Sequence, residues 1–143
     1  MVLLILFSPA LSAQVNFVGE NYSYKLTYLG IPAVNIVLSV PDTTQVNGKP
    51  VYRVVARART NTLFSVFYTL NNSYETFVNV ETGLPEKFTK DIAQRTSKQK
   101  GSATYDQEKM TAFYEGGKFD SSFVIAVQDR THNFFSMIYD LRK

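Results

Sequence analysis

Between Tyr22 and Val127 apolar side chains recur at every second position in run after run, and the runs are punctuated by Gly, Pro and Asn-Gly. Successive side chains of a strand point to opposite faces, so this two-residue period describes strands with one apolar side. Tyr22, Tyr24, Leu26 and Tyr28 alternate with Ser23, Lys25 and Thr27, which predicts a first strand whose apolar side is buried. Gly30 and Pro32 turn the chain into a second run, Val34, Ile36, Leu38 and Val40, expected to end at Pro41-Asp42. Asn47-Gly48 tolerates the positive φ of a tight turn. A third strand follows from Val51 to Thr60, with Tyr52, Val54, Ala56 and Ala58 on one side and Arg53, Val55, Arg57 and Arg59 on the other.

Leu63, Phe64, Val66, Phe67 and Tyr68 break the period, which predicts a short helix or an irregular crossover. Further strands are expected at 72–80, 86–93, 102–105, 110–114 and 119–127, separated by the turn at 81–85, the polar stretch 94–101, the turn 106–109 and Gly116-Gly117. The last segment changes to a helical period. Phe134, Met137, Ile138 and Leu141 fall at i, i+3, i+4 and i+7, one stripe of an amphipathic helix over roughly 131–143, with Asp129 or Thr131 as its cap. The expected fold class is therefore mostly β, a single antiparallel sheet with a short helical crossover and a C-terminal helix. A chain of 143 residues fits one such domain.

The amino terminus reads differently. Val2 to Phe7 is an apolar run followed by Ser8, Pro9, Ala10, Leu11, Ser12 and Ala13, the tail of a secretory signal with its cut expected within Ser12 to Gln14. Residues 1–13 are then a signal peptide and 14–143 the exported domain. The run is too short for a transmembrane anchor, which takes about 20 apolar residues. The first basic residue is Lys25, whereas a signal starts with positive charge, so the precursor is expected to begin upstream of Met1.

With no cysteine, the chain has no disulfide scaffold, thiolate nucleophile, cysteine-held metal or lipidated cysteine. His132 is the single histidine, so no histidine-clustered metal site can form, and a serine triad would have to use it as base without a recognisable nucleophile elbow. No cofactor is expected. Asp106 with Glu108, and Glu81 with Glu86, are carboxylate pairs expected to lie solvated in turns, where nothing splits their pKa values for acid and base work. A net charge of +3 without a nucleic-acid motif does not suggest a nucleic-acid partner.

Three sets of residues remain as candidate surfaces. Tyr22, Tyr24, Tyr28, Tyr52, Phe64 and Phe67 offer an aromatic surface for an apolar ligand or partner segment, with core packing as the competing fate of each. Arg53, Arg57 and Arg59 line one side of a strand and could clamp carboxylate or phosphate, unless cross-strand acids such as Glu75 neutralise them. Lys87, Lys90, Arg95, Lys98 and Lys100 make the most basic stretch, a hairpin suited either to anionic envelope partners or to keeping an edge soluble.

Several segments, taken in order, resemble a family of exported bacterial proteins, the domain-of-unknown-function 3108 family. They are Tyr-Leu-Gly-Ile-Pro-Ala at 28–33, Gly-Lys-Pro-Val-Tyr-Arg at 48–53, Ala-Arg-Thr-Asn at 58–61 and Leu-Phe-Ser-Val-Phe-Tyr at 63–68. Tyr-Glu-Thr-Phe-Val at 74–78, Thr-Gly-Leu-Pro at 82–85, Thr-Tyr-Asp at 104–106 and Val-Gln-Asp at 127–129 continue the series. The resemblance implies a periplasmic protein with a curved, half-barrel-like sheet packed around helical elements, and it carries over no catalytic residue. Members of the family continue with further strands, so this chain is expected to be truncated at its C-terminal end, leaving a sheet edge unpaired. The leading expectation is a non-enzymatic binding or assembly factor for an apolar ligand, such as a lipid, or for another envelope component. A structural module acting through a sheet edge or the basic hairpin is the alternative, and an unrecognised envelope hydrolase ranks below both.

Overall fold

The computed structural model describes residues 16–142; the expected signal segment falls outside the described residues. Eight strands form one antiparallel sheet in simple sequence order, β1 (Asn21–Tyr28), β2 (Ile31–Val46), β3 (Lys49–Thr60), β4 (Leu70–Asn79), β5 (Pro85–Gln94), β6 (Ser97–Asp106), β7 (Thr111–Gly116) and β8 (Ser121–Ala126). The sheet is open, and β1 and β8 are its edges. Between β3 and β4 lies α1 (Thr62–Ser65), the short-helix alternative for the aperiodic segment, and α2 (Phe134–Asp140) follows β8.

Strand β2 does not stop at Pro41. Ser39 pairs with Val55 and Asp42 with Arg53, so Val40 and Pro41 together oppose Val54 in a bulge. A bulge is one of the few sheet positions where a residue without an N–H costs no ladder bond, which lets the strand continue to Val46. A second bulge opposes Leu26–Thr27 and leaves Ala33 unpaired in the ladder, and its carbonyl accepts from Asn61 N at 2.8 Å, tying the entrance of α1 to the β1–β2 turn. Strand β6 begins at Ser97, so most of the polar stretch expected as a connection is strand and only Arg95-Thr96 turns.

The core sits on one sheet face over β2, β3 and β4. Leu38, Val40, Tyr52, Val54, Ala56 and Val78 form its floor, and Phe17 and Tyr139 close it from above with Phe135 and Ile138. Phe17 meets Tyr52 and Tyr139 edge-on, with ring centroids 5.5 and 5.1 Å apart, an arrangement the aromatic quadrupole favours. The segment bearing Phe17 is pinned to β2 by Gly19 N to Val40 O and Val40 N to Glu20 O. Arg142, just beyond α2, donates two 2.7 Å hydrogen bonds to the Glu20 carboxylate and lies over the rings of Phe17, Tyr22 and Tyr139.

The helix is capped by Asn133, whose side chain accepts from Ser136 N while Ser136 Oγ accepts from Asn133 N. Neither Asp129 nor Thr131 caps it, and its phase differs from the expected stripe. Phe135, Ile138 and Tyr139 face the sheet, whereas Phe134, Met137 and Leu141 are exposed. In the sequence Phe-Phe-Ser-Met-Ile-Tyr-Asp-Leu two overlapping stripes satisfy the helical period. The cap at Asn133 and the contact of Tyr139 with Phe17 select the other one.

Candidate functional surfaces

The expected aromatic set divides by strand position. Tyr52 is 6% exposed and belongs to the core floor, which removes it as a contact for any ligand. Tyr22, Tyr24 and Tyr28 lie on the same face as the core but on the edge strand β1. No residue of β1 is buried, contrary to the expected buried side. Tyr24, Leu26 and Tyr28 are between 53% and 62% exposed. Tyr22 is tethered by its hydroxyl, which accepts from Arg142 Nη2 at 3.1 Å. Phe64 of α1 packs edge-on against Tyr28 at 6.4 Å, while Phe67 stands out in solvent. Among the described residues β1 pairs only with β2, so its outer side is an open edge.

The arginine row divides as well. Asp42 lies directly across from Arg53 and accepts from its Nε and Nη2 at 3.0 and 2.8 Å, and Glu75 lies 3.6 Å from Nη1. These hydrogen bonds to the guanidinium hold the Asp42 carboxyl below its ordinary value and raise that of Arg53. Arg53 is thus neutralised by its neighbours. Arg57 and Arg59 have no ion-pair partner among the described residues and, with Asn35, Val37 and Asn71, line a groove of about 460 Å³ on the face away from α2.

A larger open groove of about 610 Å³ continues along that polar face, lined by Ser73, Glu75, Thr89, Asp91, Ser102 and Glu115 among others. Of its acids, Asp91 pairs with Lys100 at 2.9 Å, Glu75 lies 3.6 Å from Arg53 and Glu115 accepts from Ser102 Oγ at 3.0 Å, while Asp120 also lines it.

The basic hairpin does not form one patch, because alternation sends its cations to different faces. Lys90 lies over the Tyr114 ring on the core side, Lys87 shares the polar face with Arg53, and Lys100 is paired with Asp91. Arg95 sits in the β5–β6 turn and donates to the Phe67 carbonyl at 2.7 Å, next to Lys98.

Of the carboxylates expected in solvated turns, Glu86 is a correction. It is 4% exposed and accepts from Lys49 Nζ at 3.1 and 3.2 Å and from Asn79 Nδ2 at 2.9 Å. The register shift that pairs Phe77 with Lys87 but Val78 with Pro85 leaves Glu86 outside the ladder, and no local sequence signal announces that bulge.

One constellation was not visible in the sequence. His132 Nδ1 lies 3.3 Å from Ser136 Oγ and its Nε2 lies 3.6 Å from Asp140 Oδ2, the three residue types of a hydrolytic triad. Ser136 is fully buried and its hydroxyl donates to the Asn133 carbonyl while accepting from Asn133 N. A nucleophile committed to a helix cap and closed to solvent cannot meet a substrate carbonyl, so these residues fasten α2. Among the described residues no three His, Cys, Asp or Glu side chains converge as metal ligands, and no helix is long and apolar enough to cross a membrane.

The family model for proteins of unknown function named DUF3108 matches residues 23–143. The chain belongs to the DUF3108 family. The matched region starts within β1 and takes in every later strand and both helices, so the β1 row, the arginine groove and α1 are parts of a DUF3108 domain. No curated protein matches this DUF3108 chain, and no solved structure does.

Proposed function

We propose that this DUF3108 protein is a non-catalytic, exported binding or assembly factor of the bacterial periplasm, and that its receiving surface is strand β1. The observation that carries this reading is the row Tyr24, Leu26 and Tyr28, half exposed on one face of an eight-residue edge strand. Soluble proteins commonly blunt edges with proline, several charges or a covering element, and β1 contains a single charge, Lys25, and no proline. An extended apolar segment of a partner can add to such an edge. The backbone ladder then supplies affinity, and pockets between alternate rings supply selectivity. Phe64 and Ile36 extend the apolar surface beside the row.

The test is to isolate the native protein from its envelope fraction and identify what remains bound, alongside a Tyr24→Lys, Leu26→Lys variant. The expected result is a bound peptide segment or protein with the wild type and none with the variant. Wild-type protein that is repeatedly empty, or a partner retained equally by the variant, overturns the reading. A bound lipid in place of a polypeptide keeps the surface but overturns strand addition.

A further inference from the structure

We propose a second contact surface, independent of the β1 edge: the end of the sheet that carries the β1–β2 turn and α1 docks on an anionic phospholipid surface. In a sequential meander alternate connections emerge at the same end, here β1–β2, the α1 crossover, β5–β6 and β7–β8. Leu29, Leu63, Val66, Phe67 and Phe119 project from these connections, each more than two-thirds exposed. Helix α1 has no buried residue although its neighbourhood is among the most apolar in the chain. These side chains therefore contribute nothing to the core, which lies over β2, β3 and β4 under α2.

Three of the four connections form one platform. Asn61 N bonds the Ala33 carbonyl, Phe64 packs on Tyr28, Arg95 Nη1 holds the Phe67 carbonyl, and the Tyr68 hydroxyl donates to Gln94 Oε1 at 3.1 Å. Around it stand Arg57, Arg59, Arg95 and Lys98, with Lys118 beside Phe119 in the fourth connection. The acids near this end are Asp91, which is paired with Lys100, Glu115, which accepts from Ser102 Oγ, and Asp120. Glu81, Glu108 and Asp129 belong to connections at the opposite end, where Asp106 closes β6.

A protruding apolar tip with a basic collar fits the boundary between headgroups and acyl chains, where apolar side chains insert and cations meet phosphate. The high exposure of its apolar side chains and the sign of its charge favour that surface over a helix-receiving groove on another protein.

The full chain is tested by flotation with vesicles of phosphatidylcholine alone and of phosphatidylcholine with phosphatidylglycerol. Binding is expected for the anionic vesicles and to weaken as salt rises. Each basic residue near such a surface changes partition about fivefold, so Arg59→Glu with Lys98→Glu is expected to lower it roughly tenfold or more. Leu63→Ser with Phe67→Ser, at exposed positions that leave the core intact, is expected to lower it roughly tenfold or more by removing the inserted side chains. Inorganic phosphate that competes as effectively as the vesicles would reassign Arg57 and Arg59 to a soluble phosphate ligand and overturn the lipid reading. The proposal is likewise overturned if the folded wild type does not float, or if it floats equally with neutral vesicles. Unchanged flotation of both variants has the same consequence. Self-association abolished by the Leu63→Ser, Phe67→Ser variant, without vesicle binding, would make the tip a protein interface instead.

Discussion

Replacing Phe17 by Ala tests whether the segment before β1 closes the core or merely lies on it. Phe17 is 2% exposed, touches Tyr52 and Tyr139 edge-on and sits under the Arg142 guanidinium. A phenylalanine buries about 150–250 Å². At about 25 cal/mol per Å² this corresponds to roughly 4–6 kcal/mol as an upper bound, since a real unfolded chain already buries part of that area. Substitutions of this kind cost about 3–5 kcal/mol. A loss of roughly 3–4 kcal/mol is therefore expected, a large share of the about 5–15 kcal/mol that stabilises a domain. Urea unfolding followed by far-ultraviolet circular dichroism measures it. The midpoint should fall with the slope unchanged, because the variant still exposes nearly the whole core on unfolding. A loss below about 1 kcal/mol would show that the Phe17 segment frays and that α2 alone roofs the sheet, refuting the description of the core.

The remaining predictions concern buried polar groups and pH. The Tyr139 hydroxyl is buried without a hydrogen-bond partner among the described residues, so Tyr139→Phe is expected to leave stability unchanged or to raise it by up to about 1 kcal/mol in the same urea assay. Burial, with the Glu20 carboxylate nearby, pushes the Tyr139 phenol from 10.0 up to about 12. A raised folded pKa contributes stability that is present below 10.0 and lost as pH rises toward about 12, so alkaline unfolding should be shallower in Tyr139→Phe. Glu86→Ala leaves the Asn79 amide without its acceptor in a buried setting and should cost about 1–3 kcal/mol in thermal or urea unfolding. Asp42 has a folded pKa below 3.8, so its contribution is present above that value and lost as pH falls through the folded one. Wild type and Asp42→Asn should therefore converge in stability under acid, and parallel curves would dismiss the Arg53 pairing as a source of stability.

The sheet itself was legible because alternation is a local property. Tyr22 to Tyr28, Val51 to Thr60 and Asn47-Gly48 lie in the strands and the turn that their patterns predict. Burial was not legible, because Tyr24 and Tyr52 look alike in sequence and only the strand order places one at an edge and the other under α2. The bulges that carry β2 past Pro41 and leave Glu86 outside the ladder depend on the partner strands, so no local pattern marks them. The phase of α2 was decided by long-range contacts between Phe17 and Tyr139 and by the Asn133 cap, against an overlapping stripe that fits the same helical period. Of the arginines, a cross-strand acid was foreseen as the alternative to a ligand. Asp42 and Glu75 take that role for Arg53, while Arg57 and Arg59 have no acid partner among the described residues.

The central claim is that β1 receives an extended apolar segment, and a photo-crosslinking scan tests it most directly. A photoreactive residue is placed singly at positions 22 to 28 in the native envelope. Strand addition with side chains meeting on one face predicts a two-residue period, with strong adducts from 24, 26 and 28 and weak ones from 23, 25 and 27. Adducts of equal yield along β1, or none at 24, 26 and 28, would contradict it.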